Sequence, residues 1–220
     1  MNSVLRAEVA GQDGEPAAAT YPDFFDAAPV IMMHDALAEF LGAVRAGLMV
    51  YRYADAVALA GHSCPTVASA FLMTRTALNA LYPEEVPVRG AVRVEFRDDH
   101  TAGVTGVIAN VVRLITGATQ EDGFKGIGGR FDRRHLLAFG VEMRSQMRFT
   151  RTDSGVRVGV SAQLDKVPMD PRVSKLLPRC LAADAGADEA AEFHRLWQGR
   201  VRSLLLDHKD DPEVFRIEPA

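Results

Sequence analysis

Apolar residues that recur at spacings of three and four positions predict helices along much of the chain. They predict helices over 36–46, 51–59, 65–81, 103–116, 173–182 and 187–206. The segment 103–116 carries a single charged residue, Arg113, which is typical of a buried helix. Residues 1–22 show no apolar period, so we expect a flexible N-terminal segment there.

Alternation of apolar and polar residues predicts strands in the middle of the chain. It covers 88–96, and it returns on both sides of a Thr-Asp-Ser-Gly turn at 152–155, where 136–150 and 156–164 form a predicted hairpin. Helices and antiparallel strands in separate blocks favour an α+β fold, an antiparallel sheet with packed helices. We expect a single domain over 23–220 that ends in a helical C-terminal tail.

Composition narrows the class of protein without naming a function. The 220 residues include 29 acidic and 25 basic ones, a net charge of −4, so the chain lacks the basic excess of a nucleic-acid binder. No apolar run reaches the roughly 20 residues of a membrane span, and the N-terminus has no apolar core of a secretion signal. Two cysteines exclude a disulfide framework and a zinc site made of cysteines alone. We therefore expect a cytoplasmic protein with neither nucleic acid nor membrane as partner.

The segment Gly61–Pro65 combines the residue types with the strongest chemistry. Pro65 suits the first position of a helix, so Cys64 is placed at the helix N-cap, where unsatisfied N–H groups favour a thiolate. His62, two residues earlier on the same turn, can bring an imidazole nitrogen to the same point. Histidine and thiolate are ligands that zinc and other late transition metals prefer.

A metal site needs at least a third ligand, and His100 is the best candidate. It follows the strand that ends at Phe96 and precedes the buried helix, a turn at which functional side chains commonly project. Asp98 and Asp99 lie beside it as alternative carboxylate ligands, as hydrogen-bond partners for the imidazole, or as a general base.

Two stretches of the chain resemble the FmdE-like proteins, a family named after one component of the enzyme formylmethanofuran dehydrogenase. The first is GHSCPTVASAFLMTRTAL, which is similar to a family motif in which Gly-His-x-Cys-Pro-Gly opens a helix. The second is a strand, VRVEF, then GVTGVIANVVRLITGAT, which ends in the family's Thr-Gly-x-Thr pattern at 116–119. The resemblance covers roughly residues 34–165.

The resemblance implies an FmdE-like core, a homodimer, a small-molecule ligand, and a metal ion held near His62 and Cys64. The sequence departs from the family pattern at Thr66, which replaces the glycine after Cys-Pro. It also lacks the second-block cysteines, with Gly103 and Ala118 near those places, and the zinc-ribbon-like C-terminal region of some relatives. An ion would then be completed by His100, an aspartate, water or a substrate.

Two functions from different classes follow. The first is a metalloprotein, with zinc as the first candidate ion and an open coordination position, that acts as an enzyme on a small carbonyl or formyl-type substrate. The alternative is a non-catalytic haem or metal carrier or sensor that uses His62 and Cys64. We interpret the glycine-rich basic loop around Lys125 and Arg130 as a mobile loop with solvated basic residues, and if an anionic ligand binds, we expect it there.

Overall fold

The computed structural model describes residues 20–220 and is an α+β structure, as the sequence predicts. Within this range the chain forms six α-helices, which we label α1 (Ala36–Phe40), α2 (Tyr53–Ala60), α3 (Pro65–Leu81), α4 (Thr105–Thr116), α5 (Arg172–Cys180) and α6 (Ala187–Arg202). The expected flexible segment 1–22 lies almost wholly outside the described residues.

Seven strands form two sheets within the same range. They are β1 (Ile31–His34), β2 (Leu48–Tyr51), β3 (Val92–Phe96), β4 (Leu137–Ala138), β5 (Met147–Arg151), β6 (Arg157–Ala162) and β7 (Phe215–Pro219). β1 and β2 pair antiparallel, and the other five follow the order β4-β3-β5-β6-β7. The expected antiparallel sheet is corrected in one respect: β4 pairs parallel with β3, so the larger sheet is mixed.

The best-predicted elements surround the core. α3 begins at Pro65 with Cys64 as its N-cap, as expected from the sequence, and its Phe71, Leu72 and Met73 are fully buried. α4 packs against α3 and buries one face while exposing part of the other. Because α3 also packs on β5, β6 and β7, it forms the centre of the molecule.

The ends of the structure depart from the predicted pattern. The first predicted helix stops at Phe40, and the chain turns through Gly42 with a positive φ of 69° before it forms β2. At the other end, the two C-terminal helices are followed by β7, which pairs with β6. Among residues 20–220 no helix is long and apolar enough to cross a bilayer.

Candidate functional site

A cleft of about 700 Å³ lies between α1, α2, α4 and the loop 117–136. Its walls carry three arginines, two other polar side chains, four large apolar side chains and one glycine. They are Leu37, Leu59, Arg89, Asn110, Arg113, Leu114, Gly117, Thr119, Phe124 and Arg133. Apolar walls with a few placed polar groups are typical of small-molecule sites of this size.

A buried ion-pair cluster forms the polar side of the cleft. One oxygen of Asp35 accepts from Nη2 of Arg133 at 2.6 Å, and the other accepts from Nη1 of Arg89 at 3.1 Å. The side chains of Asp35 and Arg133 are 4% and 8% exposed. Asp35 also caps α1, because it accepts from the backbone N–H groups of Leu37 and Ala38.

Backbone pairing brings these distant residues together. Val88 bridges to His34 in parallel, and the amide of Arg89 donates to the His34 carbonyl at 2.8 Å, so Arg89 lies beside Asp35. Arg133 is held by its own loop: its carbonyl accepts from the amide and the hydroxyl of Thr119, at 3.0 and 2.6 Å. The cluster is therefore fixed by main-chain contacts as well as by charge.

Gly117 lets the two guanidinium groups approach each other. It ends α4 in the left-handed conformation, with φ 69°. A Cβ built at this position would lie 2.6 Å from Nη1 of Arg133 and 3.2 Å from Cζ of Arg89. Arg89 also donates to the carbonyls of Leu114 and Ile115, at 3.0 and 3.1 Å, and so occupies the C-terminus of α4.

The cluster carries excess positive charge, because two guanidinium groups share one carboxylate. Burial alone would raise the pKa of Asp35, but hydrogen bonds from Arg133, the Ala38 amide and Arg89, together with the charge of Arg133, lower it below its ordinary value. Asp35 therefore stays ionised at neutral pH. Only one of the five N–H groups of Arg133 is used in hydrogen bonding within residues 20–220.

A third arginine, Arg113, lies at the rim of the cleft. It pairs with Asp122 at 2.7 Å, and that pair is half-exposed, so the rim adds no net charge. Leu37, Leu59, Leu114 and Phe124 line the cleft beside the arginines. The lining of the cleft therefore offers partners for an anionic group and apolar contacts for the body that carries it.

The turn predicted as the metal site has a different environment. His62 is exposed, and its Nδ1 lies 2.9 Å from the Ala60 carbonyl. Since a carbonyl can only accept, Nδ1 carries the hydrogen and Nε2 is left with its lone pair in the neutral ring. Cys64 is buried, and its Sγ accepts from the amide of Val67 at 3.5 Å.

Ser63, between these two residues, docks the turn onto α2 and α6. Its hydroxyl lies 3.0 Å from the Tyr53 hydroxyl and 2.9 Å from Oε1 of Gln198. Its carbonyl accepts from Nε1 of Trp197 at 3.0 Å. Burial raises the pKa of Tyr53 well above its ordinary value, so this hydroxyl keeps its proton.

The other predicted metal and catalytic residues lie in an exposed turn after β3. His100 is exposed, with Nδ1 3.1 Å from Asp99 and its ring 5.8 Å from that of Phe139. Asp98 is paired with Arg97. Among residues 20–220 no three His, Cys, Asp or Glu side chains converge as ligands, so His62, Cys64 and His100 do not meet there as a set.

The glycine-rich loop contributes to the cleft through residues other than Lys125 and Arg130. Lys125 is exposed, and the guanidinium of Arg130 lies over the Phe131 ring at 4.6 Å. Neither lines the cleft, whereas Arg133 and Phe124 from the same loop do.

Asp35 and Arg89 were missed altogether by reasoning from the sequence. The available signal was small: Asp35 precedes a run of helix-forming residues, as an N-cap does, and Arg89 follows an apolar segment. Nothing local indicates that they meet, since Asp35 lies 54 positions from Arg89 and 98 from Arg133.

Comparison with known proteins does not identify either site. No protein-family model matches the chain, and no curated protein matches it significantly. The resemblance to FmdE-like proteins therefore stays a prediction that rests on its motifs, and the cleft and the turn are the observations from which a function can be proposed.

Proposed function

We propose that the protein binds a small organic anion in the cleft beside Arg89 and Arg133. The observation that carries this proposal is the pair formed by the buried Arg133 and the partly buried Arg89, which share Asp35 and line a cleft of about 700 Å³. Two guanidinium groups and one carboxylate leave one positive charge. A buried charge is costly unless it is compensated, so an anion in the cleft would lower the free energy of the site.

The position and the chemistry of Arg133 both favour a role in binding a ligand over a purely structural role. A structural ion pair needs one arginine, and Arg89 alone could satisfy it while it also caps α4. Arg133 keeps most of its N–H groups available at the cleft wall. Guanidinium groups bind carboxylates and phosphates through two parallel hydrogen bonds, which adds both energy and orientation.

The test is to identify what the purified protein carries. Protein is denatured after gentle purification, and the released small molecules are measured by mass spectrometry beside two variants. Leu59→Asp adds a negative charge at an exposed residue of the cleft wall, and Ala58→Asp adds it at the neighbouring exposed position outside the wall. We expect an acidic compound in the wild type and in Ala58→Asp, and at least about tenfold less in Leu59→Asp.

Two results would contradict the proposal. One is a compound that Leu59→Asp retains in full. The other is a wild type that releases nothing and binds no member of a library of organic acids at millimolar concentration.

A second proposed function is the metal-binding one, at the His62–Cys64 turn, with zinc as the first candidate ion. The observation in its favour is the contact between Nδ1 of His62 and the Ala60 carbonyl, because metal-binding histidines usually fix their second nitrogen in this way. Bound zinc would supply a Lewis acid for a small carbonyl or formyl-type substrate. A haem or metal carrier or sensor at the same turn is the alternative.

The residues that the structure describes do not complete such a site by themselves. The turn offers two donors, and within residues 20–220 no group of three forms. An ion at this turn would therefore take its remaining ligands from water, a bound molecule or a second subunit, and we derive no catalytic step through it.

Elemental analysis after zinc reconstitution tests the metal proposal. We expect about one zinc per chain in the wild type and in the control His194→Ala, which changes an exposed histidine of α6, and loss of zinc in His62→Ala and Cys64→Ser. Zinc that survives both substitutions would contradict the proposed site. A Soret band after hemin addition, lost in the same two variants, would favour the carrier.

The homodimer and the cytoplasmic location are also kept as proposals. In support of a dimer, the outer face of β1 and β2 exposes Met32, Leu48 and Val50, which are 46–48% accessible. Light scattering that shows only a 23.9 kDa species would contradict the dimer.

A further inference from the structure

We propose that the ligand of the cleft is a monocarboxylate with an apolar body, whose carboxylate binds Arg133 beside Gly117. This inference rests on the proposed anion-binding function and narrows it to one chemical class. It follows from three observations: the net charge of the cluster, the number of N–H groups that remain for a ligand, and the apolar walls.

The cluster has a net charge of one positive unit, which a ligand with a single negative charge would neutralise. Arg89 and Arg133 together carry two positive charges, and ionised Asp35 removes one. Arg113 at the rim is already neutralised by Asp122. A monocarboxylate leaves the site neutral, whereas a phosphate monoester, which is close to a dianion at pH 7.5, would leave a negative charge among buried groups.

The hydrogen-bonding capacity of the site is also limited. Nε and Nη2 of Arg89 donate to the carbonyls of Ile115 and Leu114, and Nη1 donates to the Asp35 carboxylate. Most of the donors of Arg89 are therefore occupied. Nη2 of Arg133 gives one of its two N–H groups to Asp35, so its second N–H group, together with Nε or Nη1, can still pair one edge of the guanidinium with the two oxygens of a carboxylate. The four N–H groups left on Arg133 match the roughly four acceptor positions of a carboxylate, whereas the three terminal oxygens of a phosphate present more acceptor positions than that.

Gly117 leaves room for Arg133 at the head of the cleft. Because a Cβ at this position would come within 2.6 Å of Nη1 of Arg133, any other residue would displace the guanidinium. Leu37, Leu59, Leu114 and Phe124 line the same cleft. An apolar group attached to the carboxylate would therefore be removed from water as the carboxylate binds.

The test is a calorimetric titration at pH 7.5 and constant ionic strength with five probes. They are 4-phenylbutyrate, 4-phenyl-1-butanol, acetate, phenyl phosphate and inorganic phosphate. We expect 4-phenylbutyrate to bind at least about tenfold more tightly than each of the others, because it alone has both a single charge and an apolar body.

Matched variants locate the binding. Arg133→Lys keeps the charge but loses the paired donors, and we expect it to weaken 4-phenylbutyrate about tenfold or more. The control Arg134→Lys changes the next residue, which pairs with Asp132 and does not line the cleft, and should bind normally. Phe124→Ala shortens an exposed apolar wall and should weaken 4-phenylbutyrate several-fold while acetate is unchanged.

The outcomes separate this inference from the function on which it rests. If phenyl phosphate or inorganic phosphate binds as tightly as 4-phenylbutyrate and needs Arg133, the cleft binds anions but the monocarboxylate class is wrong. If no probe binds in a way that Arg133→Lys or Leu59→Asp weakens, both the class and the anion-binding function are wrong. Should Arg133→Lys fail to fold, Leu59→Asp and Phe124→Ala at exposed positions decide the question.

Discussion

The arginine cluster and the His62–Cys64 turn are built by the chain in opposite ways. The turn draws its chemistry from residues two positions apart, and its histidine is exposed to water. The cluster joins Asp35, Arg89 and Arg133 from three separate segments and buries most of their charge. The turn is conspicuous in the sequence, and yet the cluster has the better-formed environment for a ligand.

The difference shows what makes a group of side chains a binding site. In the cluster each side chain is held by several contacts, and the surplus charge faces a cleft of about 700 Å³. At the turn, the contacts of Ser63 hold the backbone firmly, while within residues 20–220 no third ligand joins His62 and Cys64. Fixed geometry is common to both regions, and the cluster combines it with several unused N–H groups beside a cleft.

The largest expected effect comes from removing the carboxylate of the cluster. Asp35→Ala leaves Arg89 and Arg133 buried without their partner and removes the cap of α1, so we expect the free energy of unfolding to fall by about 3–5 kcal/mol. Urea denaturation measures it. Asp122→Ala, which breaks an exposed pair at the rim, is the control and should leave the midpoint nearly unchanged. Equal midpoints for the two variants would show that the cluster contributes no stability.

Acid should remove most of the stability that the ion pairs of Asp35 contribute. The pKa of Asp35 is lower in the folded protein than in the unfolded chain, so its ion pairs contribute fully above the ordinary carboxyl pKa of about 3.9 and are lost as the pH falls through the lowered value. We therefore expect the stability gap between the wild type and Asp35→Asn to be constant near pH 6 and to shrink below pH about 4. A gap that widens on acidification would contradict the sign of the shift.

Two glycines allow the two regions to be compared by the same substitution. Gly61 ends α2 and Gly117 ends α4, with positive φ values of 73° and 69°. Alanine at Gly61 meets no atom within 4 Å, so Gly61→Ala should cost about 1–2 kcal/mol from the left-handed conformation alone. Gly117→Ala also displaces Arg133 and should cost at least about 1 kcal/mol more. Identical unfolding midpoints would mean that the guanidinium groups are not held close to Gly117.

A smaller effect is expected where the turn docks onto α6. Ser63→Ala removes the hydroxyl that contacts Tyr53 and Gln198, and we expect a loss of about 1–2 kcal/mol in unfolding experiments because both partners are half-buried or buried. Ser174→Ala, which removes an exposed hydroxyl that donates to the nearby Pro171 carbonyl, is the control and should change little. If both serine variants unfold alike, the turn is not anchored through this hydroxyl.

Much of the fold could be predicted because its central elements follow simple periods. α3, α4 and the hairpin of β5 and β6 have apolar residues at helical or alternate spacing. The missed strands carry weaker signals: β2 has the sequence Leu-Met-Val-Tyr without alternation, and β4 has two residues. β7 does alternate, but it follows two helices and has only five residues.

The candidate cleft was predictable only in part, for a physical reason. The loop around Arg133 is recognisable as a place for an anion, since its glycines and basic residues are close together in the sequence. The decisive partners are brought in by long-range backbone contacts such as the bridge between His34 and Val88. Contacts of this kind depend on the whole fold, so local sequence patterns cannot supply them.

The most direct measurement is the NMR spectrum of protein labelled with ¹⁵N in its arginine side chains, recorded during a titration with 4-phenylbutyrate. We predict that the Nε–H signals of Arg133 and Arg89 shift together and saturate, while that of Arg134, paired with Asp132 outside the cleft, stays in place. Saturating binding that leaves the signals of Arg133 and Arg89 unmoved would contradict the proposed binding site.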